Sequence, residues 1–290
     1  MVAEGVNLEA SAERADSRRG FLIGLPTYLY LILFFAVPLV IVLVYSFATR
    51  TRTGATALRD WNLDSWARVF EGTALQVSIR SLILAAVTTI LSLALSYPFA
   101  YWIATRTPRV RAILLVLVMI PFWSNFLVRT YAMKFLLGSD GPLSLISQLL
   151  GGPPIRLLFT MWAVLIGLVY GFMPFMILPL YAALERMDWS LVEAARDLYA
   201  SGWTAFRKVT LPLSMPGVVA GSVLVFIPAL GAYVTPAILG GGTTPLLGDY
   251  IVQQFLQARN WPYGSALSVA VMVVMLAATV FYFRKGGRTL

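Results

Sequence analysis

Six long runs of this sequence contain no Asp, Glu, Lys or Arg: residues 21–48, 81–105, 112–128, 157–184, 209–248 and 260–283. An ordinary water-soluble core cannot hide that much contiguous apolar surface. A bilayer span needs about 20 mostly apolar residues. With no water at that depth, each span satisfies its own backbone as a helix. The runs therefore predict an all-α membrane protein with six transmembrane helices, near 22–47, 79–105, 112–136, 158–184, 213–239 and 264–283. Only 12% of the 290 residues are charged, against roughly a quarter in soluble domains.

Residues 1–20 read as a polar tail and residues 21–290 as one membrane domain. The first run is too long for the apolar core of a signal peptide and lacks a small-x-small cleavage site, so it reads as an uncleaved span. Six spans put both termini on one side. A cytoplasmic placement gathers Arg14, Arg18, Arg19, Arg106, Arg109, Arg111, Arg186, Arg196, Arg207, Lys208, Arg284, Lys285 and Arg288 inside, which is 13 of the 22 basic residues. That follows the positive-inside bias, although the outer stretch 49–78 is itself rich in arginine. The net charge of +9 resides on residues flanking the spans. Anionic lipid headgroups, not nucleic acid, are the partner this distribution suits.

Several chemistries are excluded. Without cysteine or histidine there is no disulfide, no thiolate catalysis, no Ser-His-Asp set and no metal site built from those ligands. The three lysines, Lys134, Lys208 and Lys285, do not end a Gly-rich phosphate loop. The chain therefore has no ATP site and is not an enzyme. No carboxylate lies in the middle of a span, whereas ion-coupled carriers commonly keep ionisable groups there. An ion-coupled carrier acting alone remains open, because backbone carbonyls can also hold sodium. So does a non-transporting scaffold, which would have a dry, apolar interior. Pro98, Pro121, Pro174, Pro179, Pro228 and Pro236 lie within or at the ends of the runs. They suit either bending helices or ordinary membrane-helix composition.

Residues 185–212 differ from everything around them. They are polar and longer than a turn, and they read as helix–turn–helix. Asp188 or Ser190 can cap the first helix, and Ser190 and Glu193 stand at capping-box spacing. Leu191, Ala194, Ala195 and Leu198 form one apolar face with a small centre. Gly202 suits a turn with positive φ, and Leu211-Pro212 opens the fifth span. Such a helix plugs a groove on a partner or lies on lipid.

Glu193-Ala194-Ala195, followed by Gly202 and then Leu211-Pro212, resembles the EAA loop of ABC importer permeases. Further stretches at 61–70, 96–103, 120–131 and 226–236 resemble the spermidine/putrescine branch of that family. The resemblance implies the type I importer permease (MetI-like) fold, with a cytosolic coupling helix that docks into an ATPase. Glu193, Ala194, Ala195, Asp197, Leu198, Gly202, Leu211 and Pro212 are the implied coupling residues. It also implies two ATP-binding subunits that hold ATP and Mg, a second permease subunit in a heterodimer, and a soluble substrate-binding protein. The setting is the bacterial inner membrane. Opine, phosphonate or amino-acid-like cargo is the alternative to a polyamine. For a polyamine, Tyr97, Tyr101, Trp102, Trp123, Tyr131 and Tyr233 offer cation–π faces and Asp249 a carboxylate. The aromatics equally suit packing or the interfacial belt, and Asp249 suits a helix cap. In the outer loop 57–71, Asp64 is placed as an N-cap for a short amphipathic helix bearing Trp66, Val69 and Phe70.

Overall fold

The computed structural model describes residues 24–51, 56–58, 60–242 and 245–286. Arg14, Arg18, Arg19 and Arg288, on which part of the charge argument rests, lie outside these residues. The side chains of Arg284 and Lys285 do too.

The first span, α1 (Gly24–Tyr45), contains a π turn at Ile32–Ala36. A two-stranded antiparallel hairpin follows, β1 (Thr49–Arg50) with β2 (Thr56–Ala57). Next come α2 (Asp64–Val69) and the long α3 (Gly72–Ala104). Then follow α4 (Pro108–Trp123), α5 (Phe126–Leu137) and α6 (Pro142–Leu149). The chain continues with α7 (Met161–Glu185), α8 (Ser190–Asp197) and α9 (Gly202–Leu230), the last containing a π turn at Phe206–Thr210. It closes with α10 (Val234–Leu239), α11 (Leu247–Leu256) and α12 (Trp261–Gly286).

Among the described residues, α1, α3, α7, α9 and α12 are each long and apolar enough to cross a bilayer, and the bent run from α4 to α6 is a sixth when its two halves are taken as one broken span. The six expected spans are thus present, with three corrections. The third is not straight: the chain turns by 89° between Trp123 and Phe126. Ser124 and Asn125 are extended there, the Asn125 side chain accepts the Leu127 amide at 2.8 Å, and the Ser124 hydroxyl donates to the Pro121 carbonyl at 2.6 Å. Two short polar side chains thereby satisfy the groups that a helix break frees. The second span begins at Gly72, upstream of the expected 79. The fifth is displaced, running from Gly202 and ending at Leu230, with 234–239 forming a separate helix. Pro236 lies in that helix and has no amide to join it to α9.

The core is a three-helix seam of α3, α7 and α9. On α3 a buried stripe of small residues, Ser81, Ala85, Thr88, Ser92, Ser96 and Ala100, runs at helical spacing beside the larger buried Leu84, Tyr97 and Ile103. A Cβ added to Gly217 of α9 would lie 2.6 Å from both Ala183 Cβ and the Pro179 carbonyl oxygen of α7. Small residues bring the backbones together, as membrane helices require when no hydrophobic force drives their association. The outer helix α2 differs in detail from the sequence reading. Its first amide is taken by the Asn62 side chain at 3.3 Å, so Asp64 is not the cap. Its Trp66 and Val69 pack with Tyr263, Ala266 and Leu267 of α12, while Phe70 stays exposed. At the same end of the bundle, the Leu247 amide donates to the buried Ser81 hydroxyl at 2.7 Å and pins α11 to α3.

Candidate functional site

The polar segment between α7 and α9 is built as helix–turn–helix, and its first helix is short. Asp188 caps α8 by accepting the Ser190 amide at 3.0 Å. These bonds from the Ser190 hydroxyl and amide hold the Asp188 carboxyl below the ordinary range. The Ser190–Glu193 capping box does not form: Ser190 is already the first helical residue and the Glu193 side chain is exposed. The apolar face divides. Leu191, Ala194 and Leu198 are exposed, while Ala195 turns inward with Val192 against Met187, Ala205 and Val209. The outward set, at i, i+3 and i+7, is one continuous strip available to a partner. Asp197 ends the helix, exposed.

The turn is not made where the sequence placed it. Gly202 is absent from the positive-φ positions, and a Cβ on it would meet open space. It is the first residue of α9, behind Ser201, whose hydroxyl accepts the Thr204 amide at 3.2 Å. The chain reverses instead at Tyr199, where φ is 60°. Leu211 and Pro212 open the regular α-helical part of the fifth span, Leu211–Leu230, although the helix as a whole already runs from Gly202 through the π turn. Their role is local. Pro212 has no amide to donate and crowds the carbonyl four residues back, and the wider π turn at 206–210 stands immediately ahead of it, with Leu211 donating to Phe206.

Two aromatic pairs seat the segment on α3. Trp189, just before α8, meets the edge of Tyr101 at 5.5 Å. Phe206, in the π turn, stands perpendicular to Tyr97 at 5.5 Å, and Trp203 stacks on Phe206 at 5.4 Å. The Tyr97 hydroxyl pairs with Ser214 Oγ at 2.7 Å, buried, and Ser214 in turn donates to the Leu211 carbonyl. Both tyrosines, expected as path residues, therefore act as the seat of the loop. Beside this seat a cleft of 570 Å³ opens where α7 ends and α9 begins, lined by Ala183, Met187, Leu191, Leu213 and Gly217. The segment is thus held through a few aromatic contacts and is not buried on every side. At the end of α7, Tyr181 donates to Glu185 at 2.6 Å, and Arg111 of α4 lies 3.8 Å from the same carboxylate.

The remaining path candidates are scattered. Trp123 and Tyr131 flank the 89° bend, both exposed. Tyr233 precedes α10, exposed, and Trp102 is exposed with Arg106 over its ring at 4.8 Å. Asp249 is buried in the first turn of α11 and accepts the Gln253 amide at 2.9 Å. Burial pushes its carboxyl up, and the Gln253 bond opposes this. It does not cap the helix. Ser81, which holds α11, and Tyr97 are 16 residues apart on α3, about 24 Å of helix. The seven candidates thus occupy different ends of the bundle.

Residues 96–285 match the family model described as binding-protein-dependent transport system inner membrane component. The chain is 43% identical over 257 residues to the Haemophilus influenzae spermidine/putrescine transport system permease protein PotB, covering 88% of this chain and 90% of that one. Its Escherichia coli K12 counterpart is 39% identical, with 88% and 93% covered. In fold, the chain superposes on a subunit of a bacterial ABC transporter involved in alginate import, with a TM-score of 0.74 at 16% identity and 97% and 99% of the two chains covered.

Proposed function

Because the chain belongs to the family of binding-protein-dependent transport system inner membrane components, we propose that it is the transmembrane subunit of an ATP-driven importer whose cargo is a polyamine of the spermidine/putrescine class. The observation that carries this reading is the segment 185–212. It presents Leu191, Ala194 and Leu198 outward and is joined through Trp189 and Phe206 to tyrosines on a spanning helix. A push on its outer strip reaches α3 and α9 directly. The chain supplies the passage; two partner subunits bind ATP and Mg, a sister permease forms the other half of the channel, and a soluble receptor delivers the solute. Alternating access then needs two packings of similar energy, biased by the ATPases. The polyamine assignment draws on the relatives' cargo. Both termini and residues 185–212 face the cytoplasm, where ATP is.

The cargo is tested by uptake of labelled spermidine and putrescine into cells stripped of their own polyamine importers and supplied with this permease and its partner subunits. Uptake that depends on this chain supports the assignment, and uptake of neither solute refutes it. The topology is tested by placing a cysteine at Asp197 or Ser201 and treating intact cells with an impermeant thiol reagent. Protection until the membrane is opened is expected, and immediate labelling overturns the orientation.

A further inference from the structure

The chain leaves helix α8 through a residue whose backbone conformation disfavours its own side chain. Tyr199 sits at φ 60°, the left-handed region where a Cβ crowds the backbone. The Ala200 amide donates to the Ala195 carbonyl at 3.1 Å and the Tyr199 amide to the Arg196 carbonyl at 2.9 Å. That pair of bonds closes a helix whose reversing residue is ordinarily glycine. The fold gives the tyrosine nothing in return: its side chain is 99% exposed and makes no hydrogen bond or ring contact among the described residues. Leu198, at 82% exposure, stands next to it, and Trp203, at 70%, follows after the turn. Backbone strain maintained without internal compensation points outward, to something the residue meets.

Charge indicates what that is. On α8 the exposed charges are Glu193 and Asp197 with a single base, Arg196, while Arg186 lines the cleft beside α7 together with Asp188, and Arg207 and Lys208 stand on the helix that continues into the fifth span. Anionic headgroups attract Arg207 and Lys208 and repel Glu193 and Asp197, so the tip of α8 points away from lipid and toward protein. We propose that Tyr199 is a specificity-determining anchor by which this permease recognises its ATPase subunit, its ring entering an apolar socket rimmed by basic side chains, with Leu198 packed beside it. This rests on the reading of α8 as the coupling helix. Tyrosine suits such a role because it brings a large contact area on a side chain with few rotors, and buried aromatic anchors dominate protein interfaces.

The test uses the complete importer, with a tag on this chain and the retained ATPase subunit quantified after detergent extraction. Tyr199→Gly removes both ring and strain. Its thermal midpoint is expected to rise while ATPase affinity falls about tenfold. Tyr199→Phe is expected to keep the ATPase at the wild-type level. A benzophenone amino acid replacing Tyr199 is expected to cross-link to the ATPase subunit. Undiminished ATPase retention by Tyr199→Gly, a lowered midpoint for that variant, or an adduct formed with lipid or another copy of this chain overturns the anchor. Ala194→Trp separates the two readings. If it releases the ATPase while Tyr199→Gly retains it, the coupling helix stands without its anchor. If the wild-type chain retains no ATPase, both fall.

Discussion

Tyr97 is fixed at two points, by the Ser214 hydroxyl at 2.7 Å and by the edge of Phe206 at 5.5 Å, and a side chain so held transmits force better than it binds solute. Phe206→Ala removes the ring that joins the polar segment to this strut, a contact of about 0.5–1.5 kcal/mol beyond its buried area. We expect the variant to assemble with its ATPase but to lose transport by about tenfold, equivalent to 1.4 kcal/mol; uptake and ATPase assays on the same preparation check it. Gly202→Val should change neither assembly nor stability by more than about 0.5 kcal/mol, because a Cβ there meets open space; thermal unfolding of the purified variant is the check. These two residues show what sequence alone reveals at this scale. The helix–turn–helix of residues 185–212 was legible from its polar setting and length. The position of its turn was not, because glycine is the usual signal for positive φ and the strained position holds Tyr199. The seat was hidden for another reason: Tyr97 and Phe206 are over a hundred residues apart, and no local spacing pairs them. Trp189, Trp203 and Phe206 were nonetheless visible as aromatics in a segment otherwise rich in charge.

At the scale of elements, the apolar runs located the spans because bilayer thickness sets their length. They did not locate breaks. Pro121, Phe122 and Trp123 lead without loss of hydropathy into the Ser124–Asn125 bend, and two polar residues are too few to interrupt an apolar run. The α3–α7–α9 seam is held by close backbone approach, and the hydroxyls of Thr88, Ser92 and Ser96 have no partner in it among the described residues. Sliding α3 along the seam therefore breaks no side-chain hydrogen bond at these three positions, which suits a bundle that must adopt two packings. Tightness is the constraint that remains. Gly217→Val would drive its side chain against Ala183 and the α7 backbone, an overpacking cost of about 1–3 kcal/mol. Unlike Gly202→Val, it should lower the thermal midpoint of the purified chain in detergent and reduce uptake with it.

The molecule as a whole offers a cation little to hold. No carboxylate lies in mid-span, Asp249 is buried against Gln253, and the aromatic candidates sit at different ends. Stripping water from several ammonium groups is costly without carboxylates to replace it, so we expect selectivity to lie mainly with a soluble receptor. Spermidine should bind the permease–ATPase complex more weakly than about 1 μM, roughly −8 kcal/mol, when receptor is absent; calorimetry that finds tighter binding, abolished by substitutions in this chain, would refute the expectation. The first span is the least buried, with none of its apolar window buried inside the chain; its second half packs on α12, where Tyr45 meets Trp261 at 6.2 Å. The fifth is long: it runs from Gly202 to Leu230, helical through a π turn at 206–210, about 43 Å. A lever of that length turned by roughly 5° swings its far tip through about 4 Å, using the helical rise for its length. The chain stays helical through the π turn at 206–210 and the prolines that follow it, so fluorescent probes on Trp203 and Gly231 should relax with one shared time constant. Closing one mouth of the passage and opening the other would then be a single event, with no interval in which both stand open.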